Sequence, residues 1–215
     1  KKAYTLNITY RGYSMKFLIK TMLMILIIPT SINAKEIIYD YVDANYWSHK
    51  LSAQGSVADS TYDGYKVSLS KAISKNTHLL VSYIDADKSN GDAVVSKSMG
   101  FGINYPINEK TDFVLEYSHY NVVHSYVSSS NIKTLINSIE SKINHLFSDD
   151  LQLMAGLIRN DHTGDSNLYS GFSASAKYKI NDDFSIRYEI QNIKDSKVAN
   201  SADIATNELG ISFSF

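Results

Sequence analysis

From residue 36 onward the chain repeats one pattern: two segments of alternating apolar and polar residues joined by a short polar turn. In "GYKVSLSKAISKNTHLLVSYIDAD", Tyr65, Val67 and Leu69 alternate with Gly64, Lys66, Ser68 and Ser70. After "SKN" the apolar beat resumes at Leu79, Val81 and Tyr83. A period of two is the signature of a strand with unlike faces, and the short polar interruption is a hairpin turn. "SMGFGINYPINEKTDFVLEYSHY" repeats it, with Met99, Phe101, Ile103 and Tyr105 before the turn and Phe113, Leu115 and Tyr117 after it. So does "GFSASAKYKINDDFSIRYEI", with Phe172, Ala174, Ala176, Tyr178 and Ile180, then Phe184, Ile186, Tyr188 and Ile190. The copy "NSIESKINHLFSDDLQLMAGL" is less regular. Leu135, Ile139 and Ile143 share a face with Asn137 and Ser141, and Ile132, Ile136, Ile139 and Ile143 also fit a helical stripe. The "FSDD" turn falls where the repeat needs it, which favours a strand.

The tight turns at 74–76, 106–110, 147–150 and 181–183 mark one end of the structure. The other end carries longer polar connections at about 47–60, 85–95, 121–131, 159–167 and 192–207. Four hairpins supply eight strands. "EIIYDYVDANYW" precedes them and "ELGISFSF" follows, giving ten. Both terminal strands then finish at the tight-turn end, so the last can pair with the first and close an all-β, antiparallel up-and-down barrel without free edges. On the first strand Ile38, Val42, Ala44 and Tyr46 are placed outward, which leaves Asp40 unaccounted for.

A soluble barrel would turn its apolar side inward; a transmembrane one turns it to lipid. Three features predict the second. The polar face mixes glycines (Gly64, Gly100, Gly102, Gly171, Gly210) with charges of both signs, which suits a narrow lumen. Aromatic residues stand near the ends of the apolar face (Tyr65, Tyr83, Tyr105, Phe113, Tyr117, Tyr178, Phe184, Tyr188), where a ring can meet hydrocarbon and a hydroxyl water. The third feature is an export signal. "MKFLIKTMLMILIIPTSINAKE" carries Lys16 and Lys20, an apolar run Met22–Ile28 and the small-residue ending "SINA". It reads as a signal peptide over 15–34, cleaved after Ala34, with 1–14 an upstream extension and 35–215 the barrel domain. The uninterrupted apolar run is far short of the about 20 residues a spanning helix needs. A ten-residue apolar stretch per strand, tilted near 45°, covers roughly 23 Å.

Composition narrows the functions. There is no Cys, so thiol chemistry and disulfide scaffolds are excluded. Residues 1–34 hold Lys1, Lys2, Arg11, Lys16 and Lys20 and no acid, so of 21 basic side chains 16 remain in the barrel domain against 22 acidic ones. That balance disfavours nucleic-acid binding. No cofactor or metal site is expected. "DADKSNGDA" lacks the bidentate Glu and the glycine placement of an EF-hand loop, and "NDHTGDSN" is no closer.

The terminal strand, with Leu209, Ile211, Phe213 and Phe215 alternating and an aromatic last residue, resembles the C-terminal strand of the small outer-membrane β-barrel proteins of Gram-negative bacteria. The resemblance implies an outer-membrane location, lipid as the surrounding medium, and recognition of this strand by the outer-membrane assembly machinery. It leaves the activity open, because such barrels include adhesins, pores, lipid-modifying enzymes and proteases. Ten-stranded proteases of the omptin type use rim Asp and His groups, which directs attention to Asp85, Asp87, His119, His124, Asp161 and His162. The neighbours Ser118–His119 and Ser48–His49 cannot act as nucleophile and base, because adjacent strand residues face opposite sides of the wall. The strongest candidates are the lumen charges Lys66, Glu116, Glu140, Lys142, Lys177, Lys179, Arg187 and Glu189. They form either a packed, ion-paired plug or the lining of a narrow passage. The leading expectation is a structural or surface-interaction barrel acting through its external loops, with the external ligand unknown. A narrow pore for small polar solutes or ions is second and a rim enzyme third.

Overall fold

The computed structural model describes residues 37–52, 59–127, 129–163, 168–195 and 203–215. The signal peptide expected over 15–34 and the extension expected over 1–14 lie outside them. Ten strands follow in order: β1 (Tyr41–Ser52), β2 (Ser60–Ser74), β3 (Thr77–Asp87), β4 (Ala93–Asn108), β5 (Thr111–Ser125), β6 (Ile132–Leu146), β7 (Leu151–His162), β8 (Leu168–Lys179), β9 (Phe184–Asp195) and β10 (Asp203–Ser214). Each pairs antiparallel with its sequence neighbours, and β1 pairs with β10 from Tyr41↔Ser214 to Ser52↔Asp203, closing the barrel. Closure leaves every strand with two partners and no edge for another chain to extend. The ambiguous segment is a strand: β6 pairs with β5 from Ile132 to His145 and with β7 from Ile136 to Leu146. Pro106 falls inside β4 next to a register shift, the kind of position where a missing N–H is tolerated.

The apolar parity faces out. Phe101, Leu115, Ile186 and Phe213 are all exposed large hydrophobics, and Ile211 is 55% exposed. Leu69, Val81 and Tyr83 keep the outward parity of β2 and β3 and are buried. The outward apolar stretches run from the tight turns upward: Tyr65–Ile73, Met99–Ile107, Leu151–Leu157, Phe172–Ile180 and Leu209–Phe215. They are seven to nine residues long. At a tilt near 45° that covers roughly 16–21 Å of membrane thickness, less than the ten-residue expectation.

Where that band stops, the outward parity becomes polar on every strand: Ser48, Asp63, Asp85, Lys97, His119, Asn137, Arg159, Ser170, Asn192 and Asn207. A row of tyrosines marks the border. Tyr46 donates to Asp63 (2.9 Å), Tyr65 to Asp85 (3.2 Å), Tyr117 to Asn137 (2.9 Å) and Tyr188 to Asn207 (3.3 Å), in each case to the first polar residue of the next strand. Each ring thus stands at the end of the apolar band while its hydroxyl reaches the first polar row. Asn137, an intruder in the sequence pattern, also meets His119 Nδ1 at 2.8 Å, so it belongs to this border. Asp40 is explained at the opposite edge. It accepts from Lys71 Nζ (3.2 Å) and the Ala72 amide (2.5 Å), and Lys71 lies 4.8 Å from the Phe215 ring, tying β1, β2 and the C-terminus together.

The strands continue past the border. β1 reaches Ser52, β3 Asp87, β5 Ser125, β7 His162 and β9 Asp195, so the connections at this end are shorter than the sequence pattern suggests. The backbone ladder does not need an apolar outer face, and it persists where the outward residues are polar. The interior changes with it. Trp47, Tyr62, Ile84, Ala86, Val94 and Val122 form a buried apolar cluster inside the barrel, with Leu51, Tyr120 and Ile136 packed against it. Trp47 is 6% exposed and Tyr62 4%. Ile158 and Ile193, also inward by parity, are buried too. The outer section is therefore mainly apolar inside and mainly polar outside, with Val95, Val123 and Leu135 as outward exceptions, the reverse of the section that the apolar band surrounds.

Candidate functional site

The lower lumen is the densest gathering of charge in the molecule. Its side chains come from strands whose inward positions are Gly, Ser and charged residues, which leave room for long polar chains to cross. Arg187 Nη1 lies 2.6 Å from Asp43, and Nη2 bonds Glu189. Lys66 Nζ meets Glu208 at 2.7 Å, and Asn45 donates to the same carboxylate at 3.3 Å. Lys142 Nζ bridges Glu116 (2.6 Å) and Glu140 (3.3 Å). Ser173 donates to Glu140, and Gln191 to Glu189 at 2.7 Å. Below them His78 Nε2 lies 3.3 Å from Glu116, with its ring stacked 4.7 Å from Tyr39. A Cβ at Gly102 would collide with that imidazole, so the glycine opposite makes the space for it.

Tyr39, just before β1, closes this layer by donating to Asp112 Oδ2 at 2.9 Å. Asp43, Asp112, His78 and Tyr39 were not singled out from the sequence. Their signal was parity: each continues the inward, polar register of its own strand.

Of the eight lumen charges expected from the sequence, Lys66, Glu116, Glu140, Lys142, Arg187 and Glu189 join this network. Lys177 and Lys179 do not. Lys179 turns to the rim and pairs with Asp182 at 2.7 Å, its side chain 41% exposed. That contact depresses the Asp182 carboxyl below its ordinary value. Lys177 lies 5.0 Å from the Tyr41 ring instead of against a carboxylate. The network holds five carboxylates (Asp43, Glu116, Glu140, Glu189, Glu208) on three cations, so the lumen is not charge-balanced by these pairs. Ion pairs this buried are costly to form and costlier to break singly, since the remaining partner has no water to turn to.

The rim candidates separate across the wall. His124 and His162 point inward above the apolar cluster, together with His49; Asp85, Asp87, His119 and Asp161 keep the outward parity. His49 stacks 4.9 Å from Trp47 and meets Thr206 Oγ1 at 2.9 Å. His124 packs edge-on to Tyr62 (6.4 Å), and His162 stacks on Tyr169 (4.4 Å). Among the described residues no group of three His, Asp or Glu is placed to hold a metal. The candidate EF-like loop 85–93 is a short hairpin connection. Gly91 takes φ +89° there, and Asp92 accepts from Asn90 Nδ2 (2.8 Å) and the Val127 amide (3.1 Å), which lowers its pKa.

No family model and no curated protein matches the chain. Solved structures do. The β-domain of the Bordetella autotransporter BrkA aligns with a TM-score of 0.53 at 8% identity, covering 82% of this chain and all of that one. Neisserial surface protein A aligns at 0.41 with 14% identity (81% and 96% covered), and the KdgM porin at 0.44 with 11% identity (80% and 99%). These neighbours are outer-membrane β-barrel proteins, and at such identities the likeness is one of fold.

Proposed function

We propose that this chain is an integral outer-membrane β-barrel with a shut lumen, serving a structural or surface-interaction role through its external loops and the section of wall that carries them. One observation carries the reading: two unlike closures are stacked in one lumen, an ion-paired layer below and the Trp47–Tyr62–Ile84–Val122 cluster above. The apolar band of the outer wall and its tyrosine border support the membrane location. The strand bearing Leu209, Ile211, Phe213 and Phe215 is the segment proposed to be read by the assembly machinery; it closes the barrel against β1 and presents those four side chains outward. Residues 15–34 are proposed as the export signal. Purified protein inserted in planar bilayers gives no steady conductance on this account, and reproducible current steps would replace it with a pore.

A narrow passage is the second reading, and the lower lumen is what favours it. Ser70 Oγ, Asn104 Nδ2 and Ser212 Oγ are buried there without a protein partner, a lining that suits water. The apolar cluster would then be the gate. The rim-enzyme reading draws no support from the geometry, because its candidate Asp and His groups are divided between the two faces of the wall.

A further inference from the structure

Within the lumen Lys66, Lys142 and Arg187 each hold a carboxylate, and Lys177 is the exception. Among the described residues no carboxylate lies within ion-pair distance of it, and its neighbour is the face of Tyr41. Arg187, beside it, commits both Nη atoms to Asp43 and Glu189, which leaves its Nε–H buried without a protein partner. Both side chains line a cavity of about 30 Å³ that also touches Tyr41, Gln152 and the Glu116 carboxylate, which Lys142 already holds at 2.6 Å. Lys177 and Gln152 continue into a second cavity of about 90 Å³ at the tight-turn end, bordered by Lys179, Ser185 and Ser214. The second space has the room of about three water molecules. Its acids do not fill the gap: Asp182 is held by Lys179, and Asp149 and Asp150 stand exposed on the β6–β7 turn at the entrance.

A cation half-withdrawn from bulk water and lacking a carboxylate in ion-pair contact is unfavourable, and a buried N–H without an acceptor adds to the cost. An anion with two or three acceptor oxygens would satisfy both at once, and the donor set around the cavity (ammonium, guanidinium N–H, hydroxyls) suits one. We propose that this pocket binds a small oxyanion, a carboxylate or phosphate group, entering from the tight-turn side, with Lys177 as its ion partner and the Arg187 Nε–H as second donor. The closed apolar cluster above makes it a blind pocket. The proposal rests on the barrel having a polar lower lumen and not on whether that lumen conducts.

The test uses the full barrel in detergent micelles at neutral pH. Sodium acetate and sodium phosphate are titrated against sodium chloride at matched ionic strength, and the thermal unfolding midpoint is followed by circular dichroism. In the same titration the Arg187 Nε–H resonance is followed by NMR in the unmutated protein. The expected result is a saturable rise of several degrees with at least one oxyanion and a saturable shift of that resonance. Both are lost in Lys177→Gln and kept in Lys177→Arg and in Lys133→Gln, an exposed β6 position that lines neither cavity. Response to acetate alone identifies a carboxylate ligand, and response to phosphate alone a phosphate one. A midpoint and resonance that follow chloride, or that respond equally in Lys177→Gln, overturn the proposal. Because neither readout depends on conductance, either result is separate from the bilayer experiment above.

Discussion

Below its tyrosine border the barrel has Phe101, Leu115 and Ile211 outside and Lys66, Glu116 and Arg187 inside. Above the border it has Asp63, Asp87 and Lys133 outside and Trp47, Ile84 and Val122 inside. The strands and the alternation run straight through; what changes is the medium against the outer wall. Against hydrocarbon, apolar side chains gain nothing by turning inward, and polar ones must do so. Against water the ordinary hydrophobic effect returns, and the inner face becomes a small soluble-type core. One closed sheet thus obeys two opposite patterning rules, and each rule supplies its own way of closing the lumen.

Single changes in the two interiors should be similar in size and different in remedy. Trp47→Ala removes a ring from a packed apolar cluster and is expected to cost about 3–5 kcal/mol, in urea unfolding from lipid vesicles. Lys142→Met leaves Glu116 and Glu140 buried without their cation and should also cost about 3–5 kcal/mol. Adding Glu116→Gln to Lys142→Met should recover a large part of that loss, while the same change added to Trp47→Ala should recover none. Equal behaviour of the two double variants would erase the distinction between the layers.

On the outer wall the contrast is one of depth. Ile211→Arg places a charge in the apolar band and should cost about 2–4 kcal/mol. Ser170→Arg, outward and exposed just above the border, should change stability by less than about 0.5 kcal/mol. A large penalty at residue 170 would mean that the lipid band extends higher than the tyrosines mark.

The smallest effect concerns the external loops. The Asp92 carboxyl is stabilised in its charged form by Asn90 and the Val127 amide, so its pKa in the folded protein lies below its ordinary value. The sign follows. This tie between the β3–β4 and β5–β6 connections is present above the ordinary carboxylate pKa and lost as pH falls through the depressed one. The Val127 amide resonance should therefore titrate in acid, below the usual Asp range, and Asp92→Asn should abolish that titration.

The lower barrel was legible because its outer face is regular. Phe101, Ile103, Leu209 and Ile211 beat at period two, and the tight turns cut that beat at fixed intervals. The upper strand ends look like loops in the sequence because Asp85, Asp87, Asn121, Arg159 and Asn192 break the outward apolar beat. The alternation had moved to the other parity, through Trp47 and Leu51, Ile84 and Ala86, Tyr120 and Val122. A reading that follows both parities would have found it. Within the lumen the residue types were visible and the partners were not. Lys66–Glu208 and Arg187–Asp43 join opposite ends of the chain, and their pairing follows from barrel closure and stagger rather than from spacing.

Trp47 is the sole tryptophan of the chain and sits inside the outer section, so its fluorescence reports on the reversal itself. With the barrel folded into phospholipid vesicles, its emission should be blue-shifted and shielded from acrylamide. It should also be little affected by bromine atoms placed in the middle of the acyl chains. A tryptophan at residue 101 in a Trp47→Phe background should be strongly quenched by those bromines. Strong quenching of Trp47 itself by brominated acyl chains would contradict the account, because it would put that ring against lipid instead of in the interior.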